Sequence, residues 1–469
     1  MKEPRNTVYT KRQIKAKGRM HWLLCMMLML LFISQLNGQT KIVNDASGYR
    51  LFRNGAPYYV KGVGGETYMD QVTIIGGNSI RTWGVENADK VLNEAQRNGL
   101  TVMLGLWLQT ERQGFDYNDS DKVLKQLNHF KTMVKRYKDH PALLFWGIGN
   151  ELDLQYSNVK VWSAVQDIAK YIHETDPDHP TSTVTAGLDS MEVQLIKKMA
   201  PDVDIYCVNT YGDIQNVPLK IEKYGWSGPY MITEWGPNGY WEAPKTTWEV
   251  SIEQTSTEKK AVYFERYKKH IEPFKTKCLG SYAFFWGSKQ EYTETWFGLF
   301  AKDGVATEPI DALEIAFTGH NPLKPAPTIL SMNIADKTAS DTVKLKAGEK
   351  YPASVLAKIG LNMTETANDT LNKFAYRWRI LDESNDKKSG GDAEDEAQEI
   401  PGLISQGHQS RISFRAPSKK GAYRLFVSVL YNNKVAYSNI PFWVNDRTPE
   451  DGQARFIEFR KTDMNSFNQ

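Results

Sequence analysis

Eight short apolar runs recur along the chain, each close to the length of a buried strand: "YYVKGVGG" from Tyr58, "SIRTWG" from Ser79, "LTVMLGLWL" from Leu100, "LLFWGIGNE" from Leu143, "TSTVTAG" from Thr181, "DIYCVNTYG" from Asp204, "PYMITEWG" from Pro229 and "GSYAFFWG" from Gly280. Most of the intervals between them carry a helical period. Apolar residues fall at Ala88, Val91, Leu92 and Ala95, then at Val123, Leu124, Leu127, Phe130, Val134 and Tyr137, then at Val161, Val165, Ile168 and Ile172. Strand and helix thus alternate eight times between residues 40 and 320, and the pattern predicts an α/β fold, a closed (β/α)8 (TIM) barrel, for which ~250 residues are typical. A doubly wound open sheet would alternate too, but eight units without a Gly-rich nucleotide fingerprint favour closure. Ahead of the first run, "YRLFRNGAPYY" places Asn54-Gly55 between two β-rich arms, a hairpin signal because both turn positions want positive φ.

The pattern changes after "GHNPLKPAPT", residues 319–328, a Pro-rich break read as a linker over 321–327. Beyond it the period is two, in "KFAYRWRIL", "AYRLFVSVLY" and "AYSNIPFWV", with an acidic loop "GGDAEDEAQE" between the first and second. This predicts an immunoglobulin-like β-sandwich over 328–445, followed by a polar tail over 446–469. The sandwich is expected to pack against the barrel rather than to bind sugar independently.

The first 39 residues differ from all of this. Seven Lys/Arg against the single acid Glu3 run into "HWLLCMMLMLLFIS" and then into the small polar "QLNGQT". That order is the order of a secretory signal peptide, and the apolar run is short of the ~20 residues a membrane span needs. Cleavage near Gly38 or Gln39 and export to the periplasm, the cell surface or the medium are expected, with an uncleaved anchor as the alternative. The formal charge of +3 comes from this leader, and the remainder stands at −3. Such a balance supplies no electrostatic argument for nucleic acid or an anionic membrane surface. Without Cys25 of the leader, only Cys207 and Cys278 are left, both in apolar contexts that predict buried free thiols rather than a disulfide framework. No Cys/His cluster at ligand spacing and no P-loop occurs, so neither metal, nucleotide nor other cofactor is expected, and the protein is read as a monomer.

In a parallel barrel the working face lies at the carboxyl ends of the strands. The fourth run ends on Asn150 and Glu151, the sixth on Tyr211, the seventh on Glu234 and Trp235, the eighth on Trp286, and the second contains Arg81. By alternation Glu151 shares a face with Gly149, Gly147 and Phe145, the set suited to a crowded barrel interior; by the same count Glu234 goes with Ile232 and Tyr230. Two carboxylates would then converge at the barrel mouth. Such a pair can cleave a glycosidic bond with retention, one group protonating the leaving oxygen and the other attacking the anomeric carbon. Their protonation states must differ. Asn150 would bind the sugar hydroxyl beside the reacting carbon, while Arg81 and Tyr211 would hold Glu234 ionised and oriented.

These residues resemble the clan A glycoside hydrolases, retaining enzymes on a (β/α)8 barrel. "HPALLFWGIGNE" is similar to their strand-four signature, which ends on Asn and the acid/base Glu, and "MITEWG" is similar to their strand-seven signature, which carries the nucleophile. The resemblance therefore implies Glu151 as acid/base and Glu234 as nucleophile. "VNTYG" matches the Asn-x-Tyr of strand six in family 2, where Tyr211 would contact the nucleophile, and Arg81 and Trp286 match the strand-two Arg and strand-eight Trp. Two departures stand out: only a hairpin precedes the barrel, where family 2 enzymes normally carry β-sandwich domains, and Asn209 occupies the place of the His found in family 5. A barrel followed by an immunoglobulin-like domain resembles the layout of family 158 endo-β-1,3-glucanases, and "SIRTWGVENADKVLNEAQRNGLTVMLGL" resembles the fungal β-1,3-glucanosyltransferases.

The expectation is a secreted retaining β-glycosidase, best read as an endo-β-1,3-glucanase on a β-linked polysaccharide or oligosaccharide. The alternatives are a transglycosylase or exo-acting enzyme with the same carboxylates, and an inactive carbohydrate-binding protein. Trp107, Tyr240, Trp241, Trp286 and Trp296 are candidate sugar platforms, with packing of a core or a loop as the alternative. Glu86 and Glu111 could touch substrate or begin helices, and His140 is read as setting the turn before the fourth strand.

Overall fold

The computed structural model describes residues 38–359, 374–384 and 386–446, so the expected leader up to residue 37 and the tail beyond Asp446 lie outside the described residues. The Asn54-Gly55 hairpin is two arms of a three-stranded antiparallel sheet, β1 (Thr40–Asp45), β2 (Gly48–Arg53) and β3 (Ala56–Tyr58). This sheet closes the barrel floor. Leu51 joins the inner barrel cluster, and the buried Arg53 guanidinium donates to the carbonyls of Gly38, Pro141 and Leu143.

Eight parallel strands then form a closed barrel: β4 (Val60–Gly64), β5 (Ser79–Arg81), β6 (Thr101–Leu106), β7 (Leu143–Ile148), β8 (Thr181–Ala186), β9 (Ile205–Asn209), β10 (Tyr230–Trp235) and β11 (Cys278–Ala283). The first barrel strand begins at Val60, because Tyr58 belongs to the floor sheet. The connecting helices are α1 (Met69–Ile74), α2 (Ala88–Arg97), α3 (Ser120–Tyr137), α4 (Lys160–Thr175), α5 (Ser190–Met199), α6 (Val217–Lys223), α7 (Ser256–Arg266) and α8 (Glu308–Thr318). Their starts follow local chemistry. The Asp119 carboxylate accepts from Lys122 N at α3, and Thr255 with Glu258 forms a reciprocal capping box at α7.

Side chains sort into two layers. Met103, Phe145, Val184, Cys207, Met231 and Tyr282 fill the barrel, while Ile80, Leu104, Trp146, Ile148, Tyr230 and Ile232 pack outward on the helices. The interior is tight: a Cβ at Gly105 would lie 2.4 Å from the Trp83 backbone carbon. Cys207 and Cys278 are buried free thiols.

The C-terminal region is a sandwich of two sheets around Ile334, Val355, Trp378, Leu425 and Phe442. One sheet orders β12 (Ala306–Thr307), β20 (Lys434–Asn445), β19 (Gly421–Tyr431) and β16 (Ala375–Asp382), with β14 (Lys344–Lys346) also on β20; the other orders β13 (Pro327–Ile334), β15 (Lys350–Ile359), β18 (Arg411–Arg415) and β17 (Ile404–Ser405). The two units are spliced rather than strung. Strand β12 lies within the span expected for the barrel, yet pairs in parallel with β20, so α8 starts from a strand of the sandwich.

A buried polar network fills the seam. Lys259 on α7 donates to Glu253 at 2.5 Å and to the Thr295 and Trp296 carbonyls at 2.7 and 2.9 Å, while Asn439 of the sandwich donates to the other Glu253 oxygen at 2.7 Å. Beside it Arg424 forks onto Glu383 with two bonds of 2.9 Å and donates to the Ser251 carbonyl of the barrel at 2.8 Å. Buried charges of this kind are costly unless every group is matched. Removing one should be felt by both units at once. Arg424→Met is expected to leave Glu383 buried without its cation and to cost about 3–5 kcal/mol, measured as a shift of the denaturant midpoint followed by tryptophan fluorescence; a midpoint unchanged from wild type would show that the seam contributes nothing to stability.

Candidate active site

The carboxyl end of β7 does not run straight into Glu151. The strand stops at Ile148, and Gly149 (φ 74°) and Glu151 (φ 49°) both adopt the left-handed region. Here the alternation count fails as a reason, because a turn and not the pleat aims Glu151. The turn is held by Gly149 N donating to Leu106 O and Glu151 N donating to Val184 O, both at 2.9 Å. Asp153 completes it by accepting Ala186 N at 2.9 and 3.1 Å, and burial pushes the Asp153 carboxyl up to about 7. A positive φ at a residue with a Cβ costs of order 1–3 kcal/mol, the kind of strain that functional sites carry.

Glu234 reaches the site by a different device. Tyr230 and Ile232 face the helices, so plain alternation would send Glu234 outward with them. Between β10 and β9, however, Ile232 pairs with Val208 and Glu234 with Asn209, which leaves one extra residue on β10. That bulge reverses the parity and turns Glu234 inward. The expected facing of Glu234 with Ile232 and Tyr230 is thereby corrected.

Around Glu234 the donors converge. Arg81, 1% exposed, donates from Nη1 to Glu234 Oε1 at 3.0 Å, to Asn209 Oδ1 at 3.2 Å and to the Thr233 carbonyl at 2.8 Å. Its Nη2 donates to Asn150 Oδ1 at 2.5 Å. Trp83 Nε1 gives a second bond to Glu234 Oε1 at 2.9 Å, and the Tyr211 hydroxyl donates to Oε2 at 3.1 Å. Three donors, one of them a cation, are the surroundings of a carboxylate anion.

Glu151 is differently placed. It keeps an edge open to the cleft and receives one neutral donor, Asn209 Nδ2, at 2.9 Å. Burial by the surrounding protein, with the nearby negative charge of Glu234 adding to it, pushes its carboxyl up to about 8. Asn209 joins the two halves: its oxygen accepts from Arg81 and Thr233, and its nitrogen donates to Asn150 and Glu151. The arrangement places a proton-donor candidate and a cation-paired carboxylate together in the lining of one cavity of about 720 Å³.

Trp107, Tyr240 and Trp241 line that cavity, Trp241 with 53% of its surface exposed. Trp286 does not. It is buried against Phe300 in the helix layer and its indole donates to Tyr68 O at 3.4 Å, because β11 ends at Ala283 and it is Phe284 and Phe285 that turn into the cavity. Trp296 is likewise buried behind the wall, donating to Asn238 O at 2.9 Å and packing edge-on against Tyr240 and Tyr292. Neither is placed as a platform. Glu111 clamps the backbone of Ser157 and Asn158 at 2.6 and 2.9 Å, Glu86 is exposed outside the cavity lining, and His140 Nδ1 accepts Ala142 N at 3.2 Å in the turn before β7.

Sequence reasoning missed three parts of the site. Trp83 stands two residues beyond Arg81 and carried that signal in the pleat. Asn209 registered only as a substitution for His. The segment Ser389–Asp392 of the sandwich lines the same cavity, with no local signal for it.

Against known proteins, residues 68–292 match the family model described as glycosyl hydrolases family 2, TIM barrel domain. The β-glucuronidase of Chlorocebus aethiops is 24% identical over 179 residues, 34% of this chain and 26% of that protein. The β-galactosidase of Leuconostoc mesenteroides is 23% identical over 225 residues, 44% of this chain and 20% of its own length. The chain thus spans about a quarter or less of the length of these curated relatives. Among solved structures, β-glucuronidase 3 of Bacteroides uniformis in its apo form is 14% identical with a TM-score of 0.45, covering 87% of this chain and 52% of that one. Over residues 68–292, the chain is thus similar to the TIM barrel domain of the family 2 glycosyl hydrolases.

Proposed function

We propose that the protein is a retaining β-glycosidase working by double displacement, with Glu234 as nucleophile and Glu151 as acid/base. The observation that carries this reading is the contrast between the two carboxylates, one bound by Arg81, Trp83 and Tyr211, the other held up at about 8 beside it. In the first step Glu234 Oε attacks the anomeric carbon of a β-linked sugar while Glu151 gives its proton to the departing glycosidic oxygen. Asn150 sits where it would hold the hydroxyl next to the reacting carbon. In the second step Glu151, now ionised, takes a proton from water, the water oxygen bonds to the anomeric carbon, and Glu234 leaves as a carboxylate. Both steps invert, so the product keeps the β configuration.

For the substrate, the finer reading is a β-1,3-linked glucan. It is supported by a layout that resembles that of family 158 and by the resemblance of residues 79–106 to the β-1,3-glucanosyltransferases. The names of the matched relatives, β-glucuronidase and β-galactosidase, favour other sugars at the same carbon. A panel of laminarin, galactan and aryl β-glucoside, β-galactoside and β-glucuronide separates these cases. Export through the leader is proposed from residues 1–39 alone, and secretion of the intact chain with N-terminal sequencing of the product tests it.

Two outcomes are expected on the panel. Glu234→Ala should lower kcat/KM by at least about 10³-fold, and added azide should restore turnover by entering the vacated face to give an α-glycosyl azide; wild-type rates in Glu234→Ala would refute the nucleophile. The rate should also fall as pH rises through about 8, because Glu151 must be protonated to act and loses its proton there. In Glu151→Gln that alkaline limb should vanish from the pH profile of an aryl glycoside, and a limb that persists unchanged would assign it to another group.

A further inference from the structure

The connection between β16 and β17 reads in sequence as an acidic loop, yet part of it lies across the barrel mouth. Arg112, in the loop after β6, holds Asp392 with two bonds of 2.5 and 3.1 Å, and Gln113 adds a third at 3.0 Å. On the other side, after β10 and β11, the Tyr240 hydroxyl donates to Lys388 O at 2.7 Å and Tyr292 N donates to Glu394 at 2.6 Å. In the closed order of eight strands, β6 and β7 stand opposite β10 and β11. The segment is therefore a strap spanning a diameter of the mouth.

Its fit is close at the centre. Gly390 (φ 65°) and Gly391 (φ 70°) adopt a backbone that favours glycine, and added Cβ atoms would lie 2.8 Å from Arg112 Nη2 and 2.8 Å from Lys289 Nζ. Ser389, Gly390, Gly391 and Asp392 line the cavity that holds Glu151 and Glu234. The sandwich is thus a part of the site and not only a support for the barrel.

We infer that residues 388–394 form a specificity-determining wall that confines the site to the end of a β-linked glycan, or to a short oligosaccharide, in place of the interior of a long chain. The inference rests on the glycosidase reading above. To bind mid-chain, a polysaccharide needs a trough open at both ends, and a strap tied to opposite sides of the mouth removes that opening. The tie is strong for a surface segment, since a two-bond guanidinium–carboxylate pair holds position as well as charge. A cavity of about 720 Å³ is of the size that encloses a small ligand, within the range of ~300–1,000 Å³. The endo-acting mode expected from sequence gives way, on this argument, to attack at chain ends.

The test compares wild type, Asp392→Ala and a variant with Lys388–Glu394 replaced by two glycines. Each is assayed on p-nitrophenyl β-glucoside with laminarin, on p-nitrophenyl β-galactoside with β-1,4-galactan and on p-nitrophenyl β-glucuronide with hyaluronan. In the pair that turns over, wild type should release small sugars from the polymer without an early fall in viscosity. Both variants should lower the ratio of aryl-glycoside to polymer kcat/KM by about tenfold. A ratio within about twofold of wild type in both variants, with unchanged melting temperatures, overturns the wall while the glycosidase reading stands. Rapid viscosity loss with wild type overturns it too. Failure of wild type to turn over any of the six probes overturns the glycosidase reading, and the wall with it.

Discussion

Arg81 is the group on which the site depends. A guanidinium removed from water costs several kcal/mol unless charges and carbonyls replace its hydration, and here the replacements come from three strands. Glu234 and the Thr233 carbonyl lie on β10, Asn209 ends β9, and Asn150 follows β7. Satisfying one buried cation therefore fixes the relative positions of the nucleophile candidate, the Asn150 amide and the bridge to Glu151. Trp83 adds to this from the same stretch of chain, its ring 5.0 Å from the Arg81 carbon and its indole on Glu234.

The contrast between the two carboxylates follows from that placement. All the strong donors stand on the Glu234 side, and Glu151 is left with one amide and a partly buried setting. Burial raises the Glu151 carboxyl and the negative charge of Glu234 adds to that rise, while the Asn209 hydrogen bond and the more distant Arg81 cation only partly oppose it. Such divergent environments are how one fold supplies an acid and a nucleophile at the same pH. The backbone contributes as well. A left-handed turn at Glu151 and a bulge before Glu234 are local irregularities, and each is held by hydrogen bonds to a neighbouring strand.

The second unit has two separate relations to the barrel. At the seam, Lys259, Glu253, Arg424 and Glu383 make a matched buried network that resists separation. At the mouth, the strap meets the barrel loops through an ion pair that is partly exposed at Asp392 and through single hydrogen bonds. The seam is a continuous buried network, whereas the strap is tied to the barrel loops at a few points.

What the sequence determined by itself was the order of elements and the chemical identities at the strand ends. Burial of a parallel strand on both faces is written locally as a short apolar run, and helix periodicity is local too, so eight units and their ends could be read from neighbours in the chain. Glu151, Glu234, Asn150, Arg81 and Tyr211 were legible for that reason. The direction of each side chain was not. The alternation argument reached Glu151 and Glu234 by a count that the turn at Gly149 and the bulge at Thr233 both break, since a bulge is defined by its partner strand and not by its own residues. Trp286 was misplaced because strand β11 ends at Ala283, before it. The strap over the mouth was decided by tertiary structure alone. Its acidic residues look solvated until Arg112, more than two hundred positions away in sequence, is brought opposite Asp392, and only the packing of the sandwich on the barrel does that.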